Sequence, residues 1–307
     1  MPFPIEDKLV IAVASSALFD LDESDRIFRE QGEEVYRKYQ EDNIDNILQK
    51  GVAFPFIRRF LTLNQAFPDQ LPVEVVLLSR NSPETGMRVM RSIEHYKLDI
   101  TRAAFFSGNS PYNYIPAFNA SLFLSANAID VSKAINAGYP AGRVINTSVS
   151  DNDNDSGLRI AFDFDGVIID DEAETIYQTT HDLDKFNRSE LEKVAIAHKA
   201  GPLQDLFRKI SRFQLLEKEK SKKEPSYKPI LKISIVTARN APSHERMINT
   251  LKQWGVIPDE TFLMGGIEKR RVLEIMKPHI YFDDQQTHLA PVDGIPMVHI
   301  PFGIANK

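Results

Sequence analysis

Apolar runs punctuate the chain at wide intervals, each closed by a short polar segment. "LVIAV" (9–13), "VEVVLLS" (73–79), "LFLSA" (122–126), "LRIAF" (158–162), "LKISIVT" (231–237) and "IYFDD" (280–284) carry no Gly or Pro. Continuous apolar stretches of this length predict strands buried on both faces, as in parallel sheets covered by helices. The stretch "SHERMINTLKQWG" after 237 has a helical pattern, and "IEKRRVLEIMK" places Lys269 near the start of another helix. Strands alternating with helices predict an α/β protein with a doubly wound parallel sheet.

One strand ends unusually. After Phe162 the chain reads Asp163-Phe164-Asp165-Gly166, followed by Asp170, Asp171, Glu172 and Glu174. Successive strand side chains alternate faces, so Asp163 and Asp165 point the same way, about 7 Å apart at a rise of ~3.3 Å per residue. Two half-buried carboxylates at that spacing repel unless a cation or a shared proton lies between them. The pair is either a metal and phosphoryl-transfer site or an acidic loop. The four later acids read as a solvated face or a helix cap.

The chain also resembles itself. "LVIAVASSALFDLDESDRIF" (9–28) aligns with "LRIAFDFDGVIIDDEAETIY" (158–177), with identities at Leu9/Leu158, Ile11/Ile160, Ala12/Ala161, Asp22/Asp171, Glu23/Glu172 and Ile27/Ile176. Past the basic segment "EKEKSKKEPSYK" (217–228) the spacing settles, pairing 73–79 with 231–237, Tyr96 with Trp254 and Gly108 with Gly266. Any two α/β halves share some of this pattern, and the constant spacing is what favours a duplication. The halves divide at 1–150 and 151–307, through the polar stretch "NTSVSDNDNDSG" (146–157), with a small helical cap insertion expected at about 175–228. Where the second half has Asp163, Asp165, Thr237, Asp283 and Asp284, the first has Ala14, Ser16, Ser79, Ser125 and Ala126. Chemistry that needs a cation therefore falls to the second half.

Composition narrows the classes. The 307 residues are 42% hydrophobic and 26% charged, with a formal net charge of −6. An acidic chain disfavours a nucleic-acid backbone as partner. No cysteine is present, which excludes disulfides, thiolate metal sites and Cys nucleophiles. No apolar run approaches a membrane span, and the first residues lack the positive charge of a signal peptide, so the expectation is a cytoplasmic protein without a membrane partner. His181, His198, His244, His279, His288 and His299 show no metal-ligand spacing and read as core or surface residues. Trp254 reads as core.

In an open α/β sheet, ligands bind at the carboxyl ends of the strands. The second half places there "DFDGV", Thr237 of "VTAR", Lys269 and Asp283-Asp284, with Arg270 or Arg271 as alternative cations. This set and order resemble the four motifs of haloacid dehalogenase-like phosphohydrolases. The resemblance implies catalytic Asp163, Asp165, Thr237 and Lys269. Asp163 is the nucleophile, Asp165 the acid and base, and Thr237 with the N–H of Ala238 binds phosphate oxygens. Lys269 adds positive charge, and Gly166 presents its N–H to phosphate. It also implies Mg²⁺ held by Asp163, Asp165 through its carbonyl, Asp283 and Asp284.

Both halves further resemble the cytosolic 5′-nucleotidase type I family, in "AVASSALFDLDESDRIFREQGEEVY", "GVAFPFI", "RSIEHYKLDITRAAFFSGNSPYNYI" and "LFLSANA", then "RIAFDFDGVIIDDEAE", "VTARNAPSHER", "LKQWGV" and "KPHIYFDDQ". That resemblance implies hydrolysis of nucleoside 5′-monophosphates, AMP foremost. Ala17 replaces an Arg that follows the paired Ser in vertebrate members. Phe164 replaces a small residue, and Gly166 is a further departure. Ser15, Ser16, Asn109, Ser110 and Tyr112 are candidates for a nucleoside pocket in the first half, the alternative being that "SGNSPYNY" (107–114) is a Pro-punctuated turn. A phosphatase of another metabolite such as a sugar phosphate, or a non-catalytic nucleotide-binding module, stay open as alternatives, as does a homo-oligomer.

Overall fold

In a computed structural model, residues 3–145, 151–152, 154–290, 292 and 294–306 are described. The stretch 146–157, expected as a linker, lies partly outside them. The chain forms two compact units, Met1–Tyr139 and Pro140–Lys307.

The first unit runs β1 (Leu9–Val13), α1 (Ser15–Leu18), α2 (Asp22–Asp42), α3 (Phe54–Ala66), β2 (Val73–Ser79), α4 (Met87–His95), β3 (Arg102–Phe105), β4 (Ala120–Ser125) and α5 (Ala128–Asn136). Its strands lie in the order β3-β2-β1-β4, all parallel. β1 is buried along its whole length, as its unbroken apolar run requires. Gly32 interrupts α2 with φ +83°, a backbone state that costs an L side chain strain.

The second unit runs β5 (Ala141–Val144), β6 (Leu158–Phe162), α6 (Glu172–Thr180), α7 (Leu183–Glu192), α8 (Gln204–Lys223), β7 (Leu231–Thr237), α9 (His244–Gln253), β8 (Glu260–Leu263), α10 (Arg270–Met276), β9 (Ile280–Asp283) and β10 (Met297–His299). Its strand order is β5-β10-β9-β6-β7-β8, parallel except for β5 against β10. The antiparallel pair departs from an all-parallel expectation. The architecture is α/β with a mostly parallel sheet.

The units repeat one another in detail. The order β3-β2-β1-β4 matches β8-β7-β6-β9. Leu9 faces Val73 as Leu158 faces Leu231, and Val76 faces Arg102 as Ser234 faces Glu260, so the registers coincide at the spacing read from sequence. Outside the strands, Phe19 bridges Lys50 as Ile169 bridges Ala200. The next residue in each is glycine for one reason. A Cβ on Gly51 would lie 2.7 Å from the Phe19 backbone, and on Gly201 2.2 Å from the Ile169 carbonyl oxygen. Trp254 and Tyr96 are each half-buried C-caps, of α9 and α4, and Trp254 is not a core residue.

Aromatic packing anchors β6 beneath the acidic loop. Phe162 stacks on Phe282 at 5.1 Å and meets Phe207 of α8 edge-on at 5.3 Å. Burying rings of this size fixes the strand ends against one another. Among the described residues no helix is long and apolar enough to cross a membrane.

Candidate active site

β6 ends at Phe162, so the acidic motif belongs to the turn beyond it. The N–H of Asp163 still donates to the Phe282 carbonyl at 2.8 Å, which ties the turn to β9. Strand alternation therefore does not set the aim of Asp163 and Asp165. Their partners do, and the two residues have different ones.

Asp163 meets Lys269, the N-cap residue of α10. Lys269 Nζ lies 2.9 Å from Asp163 Oδ2 and 2.8 Å from Asp283 Oδ2. All three residues are buried. Phe164 N–H donates to Asp163 Oδ1 at 2.7 Å, and Gln285 N–H to Asp283 Oδ1 at 2.9 Å. Tyr281 O–H also donates to Asp283 Oδ2, and His288 Nδ1 lies 3.4 Å from the same atom. Arg270 instead pairs with Glu274, and Arg271 is exposed, so Lys269 is the cation of this cluster.

Asp284 stands beside them with less help. It is buried, and its Oδ1 accepts no hydrogen bond among the described residues. Gly166 (φ +69°) turns closely over it, and a Cβ there would lie 2.4 Å from Asp284 Oδ2. No larger residue fits that approach.

The electrostatics follow from the crowding. Burial, with Asp283 and Asp165 near, outweighs Lys269 and pushes Asp163 up to about 7. Burial also acts to raise Asp283, yet Lys269 and His288 hold it below the usual carboxylate range. Burial and the neighbouring Asp163 and Asp283 push Asp284 up to about 9. Burial disfavours the charged Lys269, and its two carboxylate partners more than offset this. If all three buried carboxylates were ionised, they would carry two negative charges beyond the one ammonium, an excess that protons on Asp163 and Asp284 relieve and that a bound cation would relieve in their place. An all-oxygen donor set with that excess fits a hard divalent cation. Asp163, Asp283 and His288 also bring ligand atoms within 4.8 Å of one another.

Asp165 has its own cation. Arg239, two residues past the end of β7, donates from Nε to Asp165 Oδ2 at 2.8 Å and from Nη2 to Asp165 Oδ1 at 2.7 Å. Thr237 is buried at the last position of β7, and its Oγ1 accepts from Arg239 N–H at 3.2 Å. Ala238 between them is exposed. Of the two expectations for the acids after the motif, the helix cap holds and the solvated face does not: Asp171 is the N-cap residue of α6, Glu172 and Glu174 lie in its first turn, and Asp170 Oδ1 accepts from Glu172 N–H at 3.4 Å. Glu172 Oε1 lies 2.6 Å from Lys193 and its Oε2 3.1 Å from Arg246, while Asp171 Oδ2 accepts from Ile304 N–H at 2.8 Å. Asp170, Glu172 and His198 form a second group with ligand atoms within 4.8 Å, but Glu172 already has both oxygens on cations.

The first-half candidates have other engagements. Ser15 and Ser79 share a hydrogen bond of 2.9 Å, and Ser110 Oγ donates to Asp130. Asn109 Nδ2 donates to the Phe106 carbonyl at 3.1 Å, which holds the turn at 107–109. Ser16 and Tyr112 are half-buried, and Tyr112 starts a 3₁₀ turn. Nothing here brings the five onto one point.

The family model for 5′-nucleotidase matches residues 1–307. The chain belongs to the 5′-nucleotidase family. It is 32% identical over 296 residues to human cytosolic 5′-nucleotidase 1B, an alignment covering 94% of this chain and 48% of that protein. The chain thus spans about half the length of this curated relative. No solved structure matches it. In this 5′-nucleotidase family chain, sequence reading missed Arg239, Glu190, Tyr281 and His288 as neighbours of the motif acids. Arg239 stood in view as the Arg of "VTAR".

Proposed function

We propose that the chain hydrolyses nucleoside 5′-monophosphates, AMP foremost, to nucleoside and phosphate, on a haloacid dehalogenase-like catalytic half. The observation that carries this reading is the buried Asp163–Lys269–Asp283 cluster beside Asp284, whose Oδ1 accepts no hydrogen bond among the described residues, in a member of the 5′-nucleotidase family. Asp163, Asp283, Asp284 and the Asp165 carbonyl would hold Mg²⁺. Bound there, the ion supplies the positive charge that lets a carboxylate and a phosphate dianion approach.

The residues divide the work. An oxygen of Asp163 attacks phosphorus, and the bond from phosphorus to the 5′-oxygen breaks. Asp165 gives its proton to the departing alkoxide, so the nucleoside leaves neutral. Asp165, now ionised, takes a proton from water, whose oxygen attacks the aspartyl-phosphate. The bond from phosphorus to Asp163 breaks, which frees phosphate and restores the carboxylate. Lys269 faces the charge that builds on the phosphoryl oxygens and keeps Asp163 aimed. Thr237 and the Ala238 N–H would receive two of those oxygens, and the Gly166 N–H would face the phosphate.

A panel of AMP, other nucleoside monophosphates and sugar phosphates, assayed for phosphate release with and without Mg²⁺, tests the reading. AMP turnover is expected to vanish with chelator and in Asp163→Asn. Release from sugar phosphates but not nucleotides would replace the substrate class. No release from any of them would leave a binding module.

A further inference from the structure

Arg239 belongs to a cage that reaches from the motif to α7. Besides its fork onto Asp165, it donates from Nη1 to Glu190 Oε2 and to the Ser243 carbonyl at 3.1 Å. Its guanidinium lies 5.3 Å from the Phe164 ring centroid and 5.6 Å from that of Phe186. Glu190 and Phe186 both lie on α7. Glu190 is 1% exposed and also takes Arg246 Nη1 at 2.8 Å, with His198 Nε2 at 3.2 Å. One planar cation thus joins the proposed acid and base to a helix outside the sheet. Phe164, the residue between the two motif acids, is one wall of that cage.

The first unit shows that the fold does not require this. At the positions of Asp165, Arg239, Glu190 and Phe186 it has Ser16, Asn81, Gln40 and Tyr36, where Tyr36 O–H donates to Asn81 Oδ1 at 3.0 Å. The neighbouring structural link survives in both units. Arg246 Nε donates to the Ile196 carbonyl at 2.9 Å, as Arg88 Nε does to the Asn46 carbonyl at 2.8 Å. The charged cage is present only in the unit that carries the acids.

We propose that Arg239 is a positioning residue that fixes the Asp165 carboxylate and ties it to α7 through Glu190 and Phe186, so that α7 packing governs proton delivery to the leaving alkoxide. This rests on the phosphatase reading above. A phenolate leaves without a proton, whereas a 5′-alkoxide does not, so the tie has a leaving-group signature. kcat/KM isolates it, since that ratio stops at the first phosphoryl transfer.

The test compares kcat/KM for AMP and for p-nitrophenyl phosphate in the full chain and in Glu190→Gln, Phe186→Leu and Arg239→Lys. General acid help contributes roughly 10²–10⁴-fold, so loosening the acid should lower kcat/KM for AMP about 10-fold or more and that for the aryl ester less than about 3-fold. Lysine keeps the charge but not the fork, so Arg239→Lys should lose as much as Glu190→Gln. Equal losses on both substrates in folded variants, or no loss on AMP, would overturn the proposal. Phe186→Leu leaves every charge in place and carries the test if the charge variants fail to fold. A wild-type chain that turns over neither ester defeats the phosphatase reading instead. Crystals of Glu190→Gln then decide the tie: an Asp165 turned off Arg239 supports it, and an intact fork refutes it.

Discussion

The strand ends of the two units differ in charge but not in backbone. In the second unit Thr237 Oγ1 accepts from Arg239 N–H at 3.2 Å, and in the first Ser79 Oγ accepts from Asn81 N–H at 3.2 Å. Asp283 Oδ1 accepts from Gln285 N–H at 2.9 Å, and Ser125 Oγ from Asn127 N–H at 3.1 Å. A short polar side chain that bonds the N–H two residues on closes a turn, and serine does this too, though more weakly than aspartate. The motif positions therefore do two things: they shape the turn and they concentrate charge. The first unit has the turn without the charge, cations included, since Pro111 and Asn81 stand where Lys269 and Arg239 do. What remains there is an ordinary ion pair, Arg80 with Asp130, whose Asp130 stands at the position of His288.

The largest effect expected from this contrast is on turnover. Asp163→Asn removes the proposed nucleophile and should reduce phosphate release from AMP on the order of 10⁴-fold or more, as loss of an enzyme nucleophile does elsewhere. Asp163 retained with Ala14→Asp in the first unit should change nothing in rate, because no ammonium or arginine fork awaits the new acid. A gain of turnover from Ala14→Asp in an Asp163→Asn background would contradict the division of labour.

Next comes the ammonium. Lys269→Met leaves Asp163 and Asp283 buried without their cation, and breaking a buried pair from one side costs about 3–5 kcal/mol. Urea unfolding without divalent metal should show that loss. Arg80→Met in the first unit should cost less, because Arg80 is 37% exposed and Asp130 keeps Ser110. Equal losses would mean that the two strand ends are electrostatically alike.

Much of this was legible in sequence because it is carried by strand ends. Apolar runs located β1, β2, β4, β6, β7 and β9, and the residues that close β7 and β9, Thr237 and Asp283, lie where those runs stop. Lys269 was separable from Arg270 only in three dimensions, because one residue's rotation at the start of α10, about 100° at 3.6 residues per turn, decides which side chain turns inward. Arg239–Glu190 was not legible at all. The partners come from a strand end and a helix between β6 and β7, with no local spacing to join them. The cap at Asp171 was legible as one of two local readings, but the ion pairs of Glu172 were not, since the Lys193 and Arg246 that hold it come from distant elements. Strand alternation misled at Asp163 and Asp165 because β6 had already ended.

Glu190→Gln makes the second unit resemble the first, which has Gln40 there. Burial works to raise Glu190, but His198 and Arg239 hold it down at about 2 against an ordinary 4.5. A carboxylate depressed in the folded state stabilises above its unfolded value and loses that contribution as pH falls toward its folded one. Glu190→Gln should therefore be less stable than wild type at pH 7, by about 3 kcal/mol on this linkage. The gap should narrow as pH drops below 4.5. Urea midpoints measured from pH 7 to pH 3 would show it, and a gap independent of pH would mean that Glu190 acts through shape alone.

The smallest effect tests the repeat itself. Glu74 on β2 pairs with Arg102 on β3 at 2.6 Å, and the matching positions on β7 and β8 hold Lys232 with Glu260, also at 2.6 Å. Geometry is kept and polarity is reversed, so the sheet asks for opposite charges across that pair and is indifferent to which strand carries which. Lys232→Glu sets two carboxylates diagonally across the strand pair from one another and should cost up to about 1 kcal/mol, the usual scale of a cross-strand pair. Adding Glu260→Arg recreates the first unit's pair in the second and should recover most of the loss. Salt should shrink both changes, since Lys232 and Glu260 remain partly exposed. A double variant no better than the single would show that the two strand pairs, despite equal register, do not present equivalent surfaces.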